Sequence, residues 1–209
     1  MKLKIVNTSG AETGKEVTLP KEIFGVEPND HAIYLDVKQH LANKRSGTHS
    51  STEKGDVRGS TRKIKKQKGT GTARAGSIKS GVFRGGGRMF GPRPRDYRFK
   101  LNKNLKRLAR KTALTLKATS KSITVVEDFD FETIKTKNFT SVLKALNLES
   151  KKSLFVFGAS NNNVYLSSRN LKGSEVITYS ELSTYKLLNA DQLVLAESAL
   201  EGIELNLSK

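Results

Sequence analysis

Two overlapping glycine patterns are the first candidates for chemistry in this chain. Gly71–Ser77 begins like a phosphate-binding loop, but the Lys-Ser/Thr pair required after the second glycine is missing and no strand precedes it. Gly69 and Gly71 begin a G-x-G pattern, but Arg74 stands where a dinucleotide-binding loop needs its third glycine. The sequence therefore argues against both kinds of nucleotide site.

Metal and acid–base chemistry find equally little support. Four carboxylates that follow a predicted strand could attract a hard cation, but a solvated turn is the interpretation we favour; they are Glu127, Asp128, Asp130 and Glu132. The three histidines have no ligand-like spacing; they are His31, His40 and His49. The chain has no cysteine and no G-x-S-x-G elbow, and nothing assembles an acid–base pair. The sequence predicts no catalytic residue, metal site, cofactor or enzymatic activity.

The positive charge of the chain is concentrated in one segment. The chain has 38 Lys and Arg residues against 20 Asp and Glu, a formal net charge of +18 at pH 7. Lys44–Lys111 holds more than half of these cations and only three acids, Glu53, Asp56 and Asp96, whereas both flanking segments are close to neutral. Blocks of like charge are typical of nucleic-acid-binding arms, so the sequence predicts RNA or DNA as the partner.

The same segment has too little apolar surface to form a core. Its large apolar residues follow neither the strand nor the helix period, and 11 of the 17 glycines lie between Lys44 and Lys100. Such a composition does not offset the loss of chain entropy, so we expect this segment to become ordered on binding its polyanion. A flexible linker would seldom be this basic. A helix on a phospholipid surface would need Trp, Phe and Leu opposite its cations, and far less glycine.

The flanks alternate between short apolar strands and amphipathic helices. The predicted strands are 1–6, 16–19, 122–126, 153–157, 175–178 and 192–196. One predicted helix starts at Pro28-Asn29-Asp30 and has Ile33, Val37 and Leu41 on one face. A second is capped by Asn102 and has Leu105, Leu108, Thr112 and Leu116 on one face. Further helices are predicted at 137–146, 162–169, 180–188 and 199–207. This alternation predicts an α/β fold with a mainly parallel sheet covered by helices. Residues 1–43 and 101–209 are assigned to the globular body, and residues 44–100 to a long extended basic loop inserted into it, hereafter the basic loop.

The N-terminus and the overall composition bear on the compartment. Met1–Val6 lacks the long apolar region of a signal peptide, and no apolar run approaches membrane-spanning length. The absence of cysteine excludes a disulfide framework. The sequence predicts a soluble intracellular protein.

One motif within the basic loop resembles a known family. The run Gln67-Lys68-Gly69-Thr70-Gly71-Thr72-Ala73-Arg74-Ala75-Gly76-Ser77 is similar to the K-x-x-x-Q-K-G-T-G-x-A-R-x-G-S signature of the bacterial family of large ribosomal subunit protein four. Further matches are Ile78-Lys79-Ser80, Gly85-Gly86-Gly87, Gly91–Tyr97, the helix pattern after Asn102 and Ser168–Leu171. Two positions depart from the pattern: Lys65-Lys66 stand where many relatives have Trp-Arg, and Thr72 where many have Arg.

The resemblance implies a structural protein of the large ribosomal subunit that supports its assembly. It implies an α/β body on the outer face of the subunit and a loop that passes through ribosomal RNA to the nascent-peptide exit tunnel. The implied tunnel-lining residues are Lys66, Gln67, Lys68, Gly69, Thr70 and Gly71. The implied partners are large-subunit ribosomal RNA, neighbouring large-subunit proteins and the nascent peptide, with no cofactor and no membrane, and the implied location is cytoplasmic and ribosome-bound.

The RNA contacts are expected from the basic side chains of the loop and of the helix after it. They are Lys44, Arg45, Arg58, Arg62, Lys63, Lys65, Arg74, Lys79, Arg84, Arg88, Arg93, Arg95, Arg98, Lys103, Lys106 and Arg107. Two other classes remain as alternatives. A free nucleic-acid-binding module, such as a chromatin or RNA-chaperone protein, would bind many duplexes with little preference. A nuclease or nucleotide enzyme would need carboxylate or Gly-Lys-Ser/Thr constellations, which the sequence lacks.

Overall fold

Six strands form one mixed sheet in the computed structural model, which describes residues 1–208. The strands are β1 (Lys2–Val6), β2 (Glu12–Thr18), β3 (Ile123–Val126), β4 (Ser153–Phe157), β5 (Ser174–Thr178) and β6 (Gln192–Ala196). Their order across the sheet is β2-β1-β3-β6-β4-β5. The β1–β2 pair is antiparallel, and the other neighbouring pairs are parallel. This topology confirms the predicted α/β fold with a mainly parallel sheet. Residue 209, the last of the predicted body, lies outside the described residues.

Helices connect the parallel strands. They are α1 (Lys21–Phe24), α2 (Asp30–Asn43), α3 (Lys103–Thr119), α4 (Thr136–Ala145), α5 (Asn162–Ser168), α6 (Thr184–Asn189) and α7 (Glu197–Leu207), with a 3₁₀ turn at Tyr179–Glu181. Local side chains explain several boundaries. The Asn29 side chain accepts a hydrogen bond from the backbone N–H of Ala32, at 2.9 Å, and so starts α2. Asn161 starts α5 in the same way, by accepting from the N–H of Val164 at 3.1 Å.

The core is built on strands that are apolar on both faces. All five residues of β4 are buried, as expected for a parallel strand covered on both sides. On one side, the ring of Phe155 meets that of Phe139 from α4 edge to face, with centroids 5.1 Å apart. Every residue of the core cluster comes from before Leu41 or after Lys100. The basic segment therefore contributes nothing to this core.

Several predicted details of the helices were wrong. Helix α1 was missed because four residues are too few to show a period. The helix predicted at 180–188 begins only at Thr184, where the Ser183 side chain accepts from the N–H of Lys186. Leu41 and Leu116, predicted on buried faces, are exposed.

The buried face of α3 is built from smaller residues than predicted. It comprises Ala109, Thr112, Ala113, Leu114, Thr115 and Ala118. The Thr115 hydroxyl donates to the carbonyl of Lys111, at 2.9 Å, and accepts from the backbone N–H of Val26, just after α1, at 3.3 Å, which an apolar residue could not do. Asn102 precedes the helix as predicted, but its side chain makes no capping hydrogen bond. The buried face of α3 therefore differs from the face predicted from its leucines, and Leu116 is exposed to solvent.

Gly202 in α7 is required by a close contact with Tyr179. A Cβ atom at this position would lie 2.7 Å from two atoms of the Tyr179 ring. We expect Gly202→Val to lower the free energy of unfolding by about 1–3 kcal/mol, because the ring or the helix must move. Urea denaturation measures this loss. Gly55→Val is the control, since nothing lies within 4 Å of the added Cβ there, and an equal loss in both variants would contradict the packing argument.

The chain divides into two compact units. One runs from Met1 to Leu41 and resumes at Lys100, and the other is Ala42–Phe99, hereafter the basic unit. From residue 44 to residue 99 the backbone forms turns and bends without a helix or a multi-residue strand, as the composition predicted. One isolated antiparallel bridge joins Lys63 to Ser77.

Candidate nucleic-acid interface

The Lys63–Ser77 bridge closes a hairpin-like turn, hereafter the loop tip (residues 63–77). The N–H of Ile64 donates to the carbonyl of Gly76, at 3.0 Å, and the Ser77 hydroxyl donates to the carbonyl of Ser60, at 3.1 Å. The chain reverses through Gly69 and Gly71, whose φ angles of +77° and +61° favour glycine. The six residues predicted to line a tunnel therefore lie together at the reversal.

Beside the loop tip lies a shallow cleft of about 670 Å³. Its lining combines four cationic side chains with two apolar ones and a serine, and none of the lining residues is acidic: Ser60, Arg62, Lys63, Ile64, Lys65, Lys66 and Ile78. Converging Lys and Arg with no carboxylate among them can bind phosphate groups, by point charge from lysine and by paired hydrogen bonds from arginine. The cleft thus has the chemistry of an anion site and no group that could act as a base.

Two lysines of the tip are held by neutral partners. Lys65 donates from Nζ to the Thr72 hydroxyl, at 2.7 Å, and Lys63 donates to the side-chain carbonyl of Gln67. These bonds position the ammonium groups without neutralising their charge. Lys65 and Thr72 are both positions at which the sequence departs from the family pattern, and the structure shows that they contact each other.

A salt bridge ties two distant parts of the basic unit together. Arg93 donates from Nε and Nη2 to the two carboxylate oxygens of Glu53, at 2.5 and 2.8 Å. These hydrogen bonds, together with the charge of Glu53, raise the pKa of Arg93 above its ordinary value. Both groups are partly or largely exposed, so we ascribe to this pair a role in geometry rather than a large gain in stability.

Two more of the predicted RNA-binding arginines contact the ring of Tyr97. The guanidinium carbons of Arg45 and Arg95 lie 3.8 and 4.5 Å from the centroid of its ring, within range of cation–π attraction. A hydrogen bond from Arg95, reinforced by the charges of both arginines, lowers the pKa of the Tyr97 phenol. Tyr97 therefore orients cations that would otherwise repel each other.

Backbone hydrogen bonds connect the two ends of the basic unit. The N–H of Arg95 donates to the carbonyl of Gly47 at 3.2 Å, and that of Ser51 to Pro92 at 3.1 Å. The N–H of Arg88 donates to the carbonyl of Thr52 at 2.8 Å. These contacts, and with them the roles of Glu53 and Tyr97, could not be predicted from the sequence, because the bonds do not depend on apolar periodicity.

Most of the predicted RNA-binding side chains are accessible. The exposed ones are Lys44, Arg45, Arg58, Arg62, Lys63, Lys65, Arg74, Arg84, Arg88, Arg93, Arg95, Arg98 and Lys103. Lys79, Lys106 and Arg107 are half-buried. Among the six residues predicted for the tunnel, Thr70 is half-buried and the others are exposed. The surface of the basic unit is therefore densely cationic.

The acidic residues after β3 have structural partners. Asp128 accepts from the backbone N–H of Ser198, at 3.2 Å, and from its hydroxyl, at 2.6 Å. Ala196, at the start of α7, has no side chain to cap that helix, so Asp128 supplies the missing acceptor from another strand end. Glu127 pairs with Lys15 at 3.3 Å. Within residues 1–208, no three His, Asp or Glu side chains form a group that could hold a metal ion.

Asp128→Ala tests this capping role. We expect the free energy of unfolding to fall by about 1 kcal/mol, because an N–H at the start of α7 loses its acceptor and the helix dipole loses a negative charge. Thermal melting followed by circular dichroism measures the change. Glu132→Ala, an exposed carboxylate of the same cluster, is the control, and a loss of the same size there would assign the effect to overall charge.

The fold and the site define a structural α/β protein whose positive charge is concentrated in one inserted unit. No helix of the described residues is long and apolar enough to cross a bilayer. The chain belongs to the ribosomal protein L4/L1 family, whose model matches residues 17–205. This match confirms the resemblance seen in the loop motif.

Curated relatives cover the chain from end to end. It is 67% identical over 208 residues to large ribosomal subunit protein uL4 of Christiangramia forsetii, with 100% of both chains covered. It is 66% identical to the uL4 protein of Flavobacterium psychrophilum, again over 100% of both, and 58% identical to that of Parabacteroides distasonis, over 99% of both. Proteins of this family are structural components, so membership confirms the prediction that the chain is not an enzyme.

Proposed function

We propose that the chain is a structural constituent of the large ribosomal subunit, which binds large-subunit ribosomal RNA and supports assembly of the subunit. The observation that carries this proposal is the basic unit, a cationic surface with few acids and no helix or multi-residue strand between residues 44 and 99. The full-length similarity to proteins named large ribosomal subunit protein uL4 supports the same conclusion.

In this proposal the two parts of the chain have different tasks. Residues 1–43 and 101–209 form the body, which packs against neighbouring large-subunit proteins in the cytoplasmic ribosome. Residues 44–100 form an extended loop that passes through the RNA, with the sixteen basic residues named above as its RNA contacts. Thirteen of those side chains are exposed, which favours contact with phosphate oxygens. Glycine along the loop allows the backbone to approach a folded RNA closely.

The loop tip is proposed to line the nascent-peptide tunnel. Gly69 and Gly71 have open space around their Cα atoms, and the side chains of Lys66, Gln67 and Lys68 are exposed at the same reversal. Small residues keep a passage wide, while fixed positive groups face RNA on one side and the peptide on the other. The cationic cleft beside the tip would then hold the RNA that forms the opposite wall.

Co-sedimentation with large subunits through a high-salt wash tests the proposal. A tagged copy of the chain, expressed in the source organism, should remain with the large-subunit peak after the wash and be absent from the small-subunit peak. A protein bound only by unspecific charge would be released, because counterions displace such contacts as salt rises. Release of the tagged chain under conditions that retain other large-subunit proteins would refute the proposal.

A further inference from the structure

Phe90 presents its whole side chain to solvent. Its relative exposure is 101%, and its φ angle of +52° lies in the left-handed region, which bulky residues seldom adopt. A fully exposed ring gains no burial energy and the left-handed backbone costs energy, so the fold of the basic unit gives no reason for phenylalanine here. Strain of this kind is typical of positions that serve binding.

The backbone around Phe90 is held in place. A Cβ atom on Gly91 would lie 1.9 Å from the Ser51 hydroxyl oxygen, and one on Gly87 would lie 2.3 Å from the backbone nitrogen of Lys54. Between them, the N–H of Arg88 donates to the carbonyl of Thr52. Both sides of the ring's attachment point are thus packed closely, in a conformation that leaves the ring in solvent.

The neighbours of Phe90 indicate what it binds. Arg88 and Arg93 lie two and three residues away along the chain, and both are exposed. Met89 beside it is 66% exposed. Phe, Met and Arg also occur in protein–protein interfaces, so these residue types alone do not identify the partner. The surrounding segment Lys44–Lys111 holds more than half of the cations of the chain and only three acids, which suits a base flanked by phosphates. The charge pattern therefore favours RNA over a protein groove.

We propose that Phe90 stacks on an unpaired base of large-subunit ribosomal RNA while Arg88 contacts the adjacent phosphate. This inference rests on the proposed function and deepens it, because it assigns a base contact to one side chain within a surface that otherwise meets phosphates. Stacking requires a base that is splayed out of a duplex, so Phe90 would select a loop or bulge in the RNA.

The test measures binding of the full chain to an in vitro transcript of the large-subunit ribosomal RNA at several salt concentrations. Phe90→Ala should weaken binding by about five- to hundredfold, the range for loss of one base–aromatic stack. Phe90→Leu should lose most of the same affinity, because it keeps apolar surface but has no ring. Val82→Ala is the control, since Val82 is 85% exposed in the same unit, and its affinity should change less than twofold.

Phe90→Trp gives a direct signal of stacking. The chain contains no tryptophan, so the introduced indole would be the sole source of tryptophan fluorescence. We expect its emission to be quenched by the RNA and its affinity to match or exceed that of the wild type. Equal binding by wild type, Phe90→Ala and Phe90→Leu would overturn the stacking proposal, and so would an unquenched indole in a complex that forms normally.

Failure of this inference is distinguishable from failure of the proposed function. Phe90→Ala and Phe90→Leu change no charge, so the slope of log K against log[salt] should stay that of the wild type while the affinity falls. A wild-type chain that binds the transcript weakly and with little salt dependence would contradict the proposed function itself. If Phe90 instead bound a protein, Phe90→Leu and Phe90→Ala would bind the RNA as tightly as the wild type. That result would overturn the stacking proposal and leave the proposed ribosomal function intact.

Discussion

Replacing four lysines of the loop tip region with glutamine is expected to flatten the salt dependence of RNA binding by about three units of slope. The four are Lys63, Lys65, Lys66 and Lys68. If about ten cations of the basic loop displace counterions, log K against log[salt] falls with a slope on the order of −7 to −9 in the wild type. Each lysine removed takes away about 0.7 to 0.9 of that slope. Filter binding or fluorescence anisotropy over a salt series gives both values.

A variant with the same change in charge provides the control. It carries four exposed lysines of the body as glutamine: Lys135, Lys137, Lys151 and Lys172. Its slope should remain close to that of the wild type, and both variants should melt like the wild type because none of these side chains belongs to the core. An unchanged slope in the loop variant, or an equal change in both, would show that the basic loop is not the surface that contacts RNA.

Removing most of the basic unit should abolish tight RNA binding and leave the body folded. The backbone contact between Gly47 and Arg95, at 3.2 Å, offers a place to rejoin the chain, so Thr48–Pro94 is replaced by Gly-Ser-Gly. The core cluster has no member between residues 42 and 99, and every strand and helix named above lies outside the deletion. We expect a cooperative melt with retained helical circular dichroism, and RNA affinity reduced on the order of a hundredfold or more.

Two outcomes would count against this expectation. Loss of the cooperative transition would mean that the basic unit contributes to folding of the body, contrary to the composition of the core. Full RNA affinity after the deletion would place the RNA-binding surface on the body instead. A control in which only Gly55 is replaced by alanine passes through the same purification and should behave as the wild type.

How much the sequence could predict differs between the two units. Strands β4 and β6 were predicted with their observed bounds, because each is a short apolar run ended by glycine or polar residues. The four-residue α1 was missed, and the buried stripe of α3 was misplaced because small residues and a threonine, rather than leucines, meet α1. The spacing of large apolar residues therefore predicts which face of an element is buried only where large side chains fill the contact. Where two helices meet closely, as α3 and α1 do, small residues form the buried face and the spacing of leucines does not predict it.

For the candidate site, composition predicted the charge but not the contacts. Glu53 and Arg93 are 40 residues apart and pair through a fold of the chain that no local pattern encodes. Tyr97 was named in the sequence only as the end of the Gly91–Tyr97 match, yet its ring lies against two arginines. Phe90 drew no prediction from the sequence, because neither its full exposure nor its positive φ angle follows from residue types.

The contact between Lys65 and Thr72 has a consequence for exchanging parts between relatives. In this chain the Lys65 ammonium group lies 2.7 Å from the Thr72 hydroxyl oxygen. An arginine introduced alone at position 72 would face an ammonium group at close range and push the two sides of the tip apart. We therefore expect an arginine at position 72 to be accommodated only when the lysine at position 65 is exchanged with it.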